Sequence, residues 1–117
     1  MYKRQGNTLF VAKDIADGLK SPLVPVASLK DIPAVSIDSE VTGIVYPVYY
    51  GELPILVREF AEKLDNLEGK YIFAVCTFGG SAGDSLRSLR KIIRSRRGEL
   101  SATYGVHMPQ NLSLIHI

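Results

Sequence analysis

A single cysteine, Cys76, stands among the 117 residues, which excludes an internal disulfide and any cysteine-cluster metal site within the chain. Long apolar runs are missing too: none approaches the roughly 18 residues of a membrane helix, and no signal-peptide pattern stands at the start. Neither charge sign dominates, since 14 basic and 12 acidic residues leave a net +2 that by itself implies neither nucleic acid nor membrane. No repeat, low-complexity tract or linker divides the chain. What remains is a 46% hydrophobic and 22% charged composition, ordinary for one soluble domain with a real core. A cytoplasmic location is the expectation.

Gly6-Asn7-Thr8 leads into LFVAKDIADGLK, where Leu9, Ala12, Ala16 and Leu19 recur at helical spacing and Val11 and Ile15 widen the stripe. Asn7 or Thr8 can cap the free amides of a first turn, so the pattern predicts a helix over residues 8–20. Ser21-Pro22 breaks it. Residues 23–27 suggest a short strand that Pro25 confines to a sheet edge, and residues 28–40 read as an irregular connection. Residues 41–48 are densely apolar and β-branched, as in a strand covered on both faces. Pro54 opens a helix where its missing N–H is harmless, and Leu53, Val57, Phe60, Ala61 and Leu64 form the buried stripe.

Residues 71–77 make the most continuous apolar run and read as an interior parallel strand. That setting makes Cys76 a buried, inert thiol. The loop at 78–85 is rich in glycine and in donors, and Ser81, Asp84 or Ser85 can cap the helix that turns Leu86, Leu89, Ile92 and Ile93 inward. Gly98 stops that helix, and residues 100–108 form a last strand. Strands alternating with helices specify an α/β fold with parallel pairing through right-handed crossovers.

Three loops then fall at carboxyl ends of strands, at residues 5–8, 49–53 and 78–84, the edge where open parallel sheets bind ligands. The first suits a phosphate, with a close-approach glycine, polar side chains and a helix N-terminus. The second offers the aromatic faces of Tyr49 and Tyr50, and the third offers glycine amides.

Together these loops resemble the flavodoxin family, which binds FMN. Gly6-Asn7-Thr8 matches the end of its phosphate loop, without the earlier hydroxyl residues. The resemblance is closer to the flavodoxin domain that precedes iron–sulfur motifs in bacterial and archaeal ferredoxin fusions. There Pro-x-Tyr-x-Gly-x-x-Pro is followed by Arg-Glu-Phe, here Pro47, Tyr49, Gly51 and Pro54, then Arg58, Glu59 and Phe60. The strand and loop Tyr-Ile-Phe-Ala-Val-Cys-Thr-x-Gly-Gly recurs at 71–80, and Met-Pro-x-Asn at Met108, Pro109 and Asn111.

The resemblance implies a flavodoxin-like open parallel sheet of order 2-1-3-4-5 in a three-layer sandwich, truncated, with the first strand and last helix missing or vestigial. It implies FMN held at its phosphate by Gly6, Asn7 and Thr8, with Pro47, Tyr49, Tyr50 and Gly51 on one side of the ring. Thr77, Phe78, Gly79, Gly80 and Gly83 would line the other side and the pyrimidine edge. The implied function is electron transfer to a redox protein or a fused ferredoxin module, with iron–sulfur clusters only in that downstream module. The single partial domain is expected to run over residues 6–111. Residues 1–5 and 112–117 resemble translated adapter read-through and are expected to be non-native.

Two other functions share the pattern: an FMN-dependent NAD(P)H:quinone or flavin reductase, and a non-flavin signalling or binding module of the same fold. A phospho-acceptor domain of the latter kind needs an acidic cluster with an aspartate at a strand end, where this chain has Pro47-Val48-Tyr49 and Thr77-Phe78. Arg87, Arg90, Lys91, Arg94, Arg96 and Arg97 form a basic cluster that suits an acidic redox partner but reads first as a solvated helix face. His107 reads as a packed or surface histidine without metal partners.

Overall fold

The apolar runs at 41–48 and 71–77 become neighbouring parallel strands. The computed structural model describes residues 2–48, 51–80 and 82–107, with side chains from Thr8 onward. In chain order come α1 (Tyr2–Leu19), β1 (Val35–Ser36), β2 (Val41–Pro47), α2 (Ile55–Glu62), β3 (Leu64–Asp65), β4 (Tyr71–Phe78), α3 (Ser85–Ser95) and β5 (Leu100–His107). Every strand pair is parallel, with β2-β4-β5 in one sheet and β1-β3 in a second, two-stranded one. The chain is therefore α/β, and no helix among the described residues is long and apolar enough to cross a membrane.

Alternation across the pleat decides which helix covers which face. Ile44, Tyr46, Ile72, Ala74 and Cys76 point into one core with Val57, Phe60 and Ala61 of α2 and Leu89 and Ile93 of α3. Gly43, Val45 and Phe73 point the other way, where Ala12, Ile15 and Ala16 of α1 approach them. The sheet is thus sandwiched between α1 and the α2–α3 pair. β4 is interior, as its composition suggests. β5 is covered on one face only among the described residues, and its Tyr104 is 55% exposed.

Three local expectations need correction. Residues 23–27 form no strand: the chain is extended at Pro25 (φ −65°, ψ 132°) and then winds into a 3-10 turn at Val26–Leu29. Proline supplies no ladder donor, and no neighbouring strand among the described residues runs alongside to compensate. Leu64, expected on the helix, belongs to β3 and pairs with Val35 instead. Gly6-Asn7-Thr8 is not a turn but part of α1, which begins at Tyr2. Lys3, Arg4 and Gln5 are good helix formers. Each residue added to a helix gains a hydrogen bond, which outweighs the roughly 1 kcal/mol that Gly6 costs.

The outer edge of β2 has no strand partner among the described residues. A groove of about 450 Å³ runs along it, between Val41–Val45 and the Ser21–Val26 segment. Gly43 lies on its wall because the Phe73 ring from β4 occupies the place of a side chain: a Cβ there would sit 2.6 Å from Phe73 Cε2. Gly43→Val is expected to lower stability by about 1–3 kcal/mol in denaturant melts. Adding Phe73→Ala should recover part of that loss if ring overlap is its cause.

Candidate functional site

The site is built on the carboxyl edge of β2-β4-β5, where in-register strands stop together at Pro47, Thr77 and Val106, with Phe78 and His107 one residue beyond. Two loops leave this edge, one from β2 to α2 and one from β4 to α3. They meet through their glycines. Gly51 (φ 73°) and Gly83 (φ 56°) both take left-handed backbone conformations, which glycine adopts without the usual steric cost. A Cβ on Gly83 would lie 2.6 Å from Gly51 Cα, so no larger residue allows this approach. The Gly51 carbonyl accepts from the Asp84 amide at 3.1 Å.

Asp84 is the N-cap of α3, although its side chain makes no capping bond. Gly79 is half-buried and Gly80 exposed, and a Cβ on Gly80 would meet no atom within 4 Å. The edge therefore presents open glycine backbone.

Two further contacts close the edge. Thr8, 8% exposed on α1, shares a hydrogen bond of 2.7 Å between its Oγ1 and that of Thr77. The third expected segment thus reaches the site, although through a helical side chain and not through a turn. Gly6 and Asn7 lie in the helix backbone, and their side chains are outside the description. Pro47 ends β2 opposite Thr77. Tyr49, Tyr50, Ser81, Met108, Pro109, Asn111 and residues 112–117 lie outside the described residues.

His107, read from the sequence only as a packed or surface histidine, belongs to this edge. Its Nε2 lies 2.8 Å from the Gly79 carbonyl. A carbonyl only accepts, so Nε2 carries the proton. The imidazole also sits 5.5 Å from the Phe78 ring, tilted by 51°. Counting β5 in register with β4 would have found it, because His107 pairs with Phe78. Among the described residues, no group of three His, Cys, Asp or Glu side chains is arranged to hold a metal.

Beneath the loops, Tyr46, Cys76 and Ser85 are all essentially buried. Tyr46 and Cys76 are register partners on β2 and β4, and Ser85 opens α3. Burial pushes the Tyr46 hydroxyl from its usual 10 up to about 12; the Ser85 hydroxyl lowers it in part and Cys76 raises it further. Burial likewise pushes the Cys76 thiol up, with Ser85 and its own backbone offsetting the effect. Ser85 is near enough to act on Tyr46 electrostatically, but neither Tyr46 Oη nor Ser85 Oγ has a partner in hydrogen-bonding geometry among the described residues.

Compared with known proteins, the chain matches no family model, no curated protein and no solved structure.

The buried tyrosine gives a pH signature. Its folded pKa of about 12 lies above the usual 10, so the folded state keeps a proton that the unfolded state loses above pH 10. Stability from this group is complete below pH 10 and falls through pH 12, by about 2–3 kcal/mol in all. Tyr46→Phe should remove that alkaline loss in urea melts run across the window. At pH 7 it should leave stability unchanged or raised, because an unbonded buried hydroxyl is removed. A drop at pH 7 of about 1 kcal/mol would instead mean that the hydroxyl is bonded.

Proposed function

We propose that this chain is the FMN-binding part of an electron-transfer domain with the flavodoxin-like arrangement. The observation that supports it most is the contact of Gly51 with Gly83, because it joins the two loops that carry the resemblance. They join at the sheet edge where ligands of parallel α/β folds bind. The strand order β2-β4-β5 is compatible with the last three strands of the order 2-1-3-4-5. The placement of α1 opposite α2 and α3 is compatible with the three-layer sandwich.

The residues fit the ring end of FMN. Gly79 and Gly80 offer backbone groups with open space over Gly80, and Tyr49 and Tyr50 supply aromatic faces in this reading. They do not fit the phosphate end in the expected way. The amides of Gly6, Asn7 and Thr8 lie past the first turn of α1, where helical amides are already bonded to carbonyls four residues back. FMN, when bound, supplies one- and two-electron transfer. The chain positions it, with Gly51 and Gly83 fixing the loop spacing and His107 holding the Gly79 carbonyl from the β5 side. The reading as a phospho-acceptor module finds no support at the described strand ends, which carry Pro47, Phe78 and His107.

Because the phosphate grip is weak, riboflavin and FMN are expected to bind within about tenfold of each other, less than 1.4 kcal/mol apart. Quenching of flavin fluorescence on titration measures both. Gly83→Ala should weaken both about tenfold or more, since its Cβ would displace the Gly51 backbone. No quenching by either flavin would refute the reading; FMN binding far tighter than riboflavin would refute the assignment of the weak end.

A further inference from the structure

We propose that the outer face of α3 is a docking surface for an acidic protein, seating it beside the Gly79–Gly83 loop. The charge of the chain is unevenly placed. Residues 84–99 hold six of the 14 basic residues and two of the 12 acidic ones, so they carry net +4 and the remainder net −2. Leu89 and Ile93 are buried, and Leu86 and Ile92 pack against the core. This turns Arg87, Lys91 and Arg94, at i, i+4 and i+7, outward as one exposed stripe. Arg90 is half-buried at its flank, and Arg97 continues it beyond the helix end. Arg96 is engaged elsewhere, donating through Nε to the Leu64 carbonyl at 2.9 Å.

Helix stability does not explain this stripe. Cations favour the last turn of a helix, and anions the first. Arg94 satisfies that rule, but Arg87 lies in the first turn, where no acidic residue is present. Like charges at i and i+3 or i+4 repel, and Arg87–Arg90, Arg87–Lys91, Arg90–Arg94 and Lys91–Arg94 are all such pairs. The acidic neighbours do not quench them: Arg87–Asp84 is 3.7 Å long between strongly exposed side chains, and Arg94–Glu99, at 3.1 Å, is less exposed but still open to solvent. Exposed pairs of this kind exchange readily with water and other anions.

The stripe suits carboxylates. Guanidinium groups bind them through two parallel hydrogen bonds, and the 11-residue helix spans roughly 16 Å, the width of a small interface patch. No described aromatic side chain lies within residues 82–99 to stack bases, and the net +2 gives no long-range pull on a nucleic acid. Arg87 lies in the first turn of α3, four residues after Gly83, so a partner on this face reaches the rim of the candidate site. Docking stands on charge and placement; that the partner is a redox protein rests on the flavin reading.

The test uses the full chain without flavin, so its failure leaves the flavin reading untouched. The 15N-labelled protein is titrated with poly-L-glutamate, and in parallel with single-stranded DNA of the same length. The expected result is shift changes concentrated in residues 84–99, weakened about tenfold from low salt to roughly 0.2 M. Arg87→Glu/Lys91→Glu should weaken binding about tenfold with an unchanged or raised melting temperature, since an acid at position 87 suits the first turn and both changes replace like-charge pairs with Arg90 and Arg94 by opposite-charge ones. Changes spread evenly over all cations would overturn the proposal, as would DNA binding more tightly than polyglutamate.

Discussion

The backbone of Gly83 rests directly on the backbone of Gly51, and the carboxyl edge depends on that contact. Two loops that leave different strands are held at one spacing by a pair of residues without side chains. The Asp84 amide completes the link by donating to the Gly51 carbonyl. Through Asp84 the contact fixes where α3 begins, and through Gly51 it fixes the run into Pro54 and α2. Side-chain contacts then secure the flanks: Thr8 on Thr77 from the α1 side, and His107 on Gly79 from the β5 side. Steric constraint, more than any strong bond, shapes this site.

Below that surface the buried core is mostly apolar, with Tyr46, Cys76 and Ser85 set among its aliphatic side chains. Their burial makes charge there costly, which is why the phenol and the thiol are both held neutral more strongly than in water. A layer of neutral, poorly partnered groups under an open edge gives low local dielectric without fixed charge. In the flavin reading, that setting would disfavour an anionic ring above it and leave the redox chemistry to the cofactor and the loops. The densest run of positive charge lies away from this floor, on the outer face of α3.

Strand and helix identity were legible wherever burial imposed a period. Residues 71–77 read as an interior strand because both faces are covered, and β4 does lie between β2 and β5. Pro54 marked a real boundary by local chemistry alone, whereas α3 ends at Ser95, before Gly98, with Arg97 taking the left-handed turn. The segment around Pro25 misled because extended backbone becomes a strand only with a partner, which local sequence does not reveal. At Gly6-Asn7-Thr8, turn chemistry competed with helix propagation and lost. The Gly51–Gly83 contact, the Thr8–Thr77 bond and the role of His107 were illegible for one reason: each joins residues far apart in the chain. The site loops could be named from their strand ends, but the pairs that bind them together needed coordinates.

In the flavin reading, the Gly51 and Gly79–Gly83 loops form one flavin-side surface, while the residues of α1 before Thr8 contribute little. Amide chemical-shift mapping of the 15N-labelled chain on addition of FMN tests this most directly. The largest changes are expected at Gly51, Thr77, Gly79, Gly80 and Gly83, appearing together at one affinity, with small changes at Gly6 and Asn7. Changes centred on Gly6 and Asn7, or affecting only one of the two loops, would contradict it.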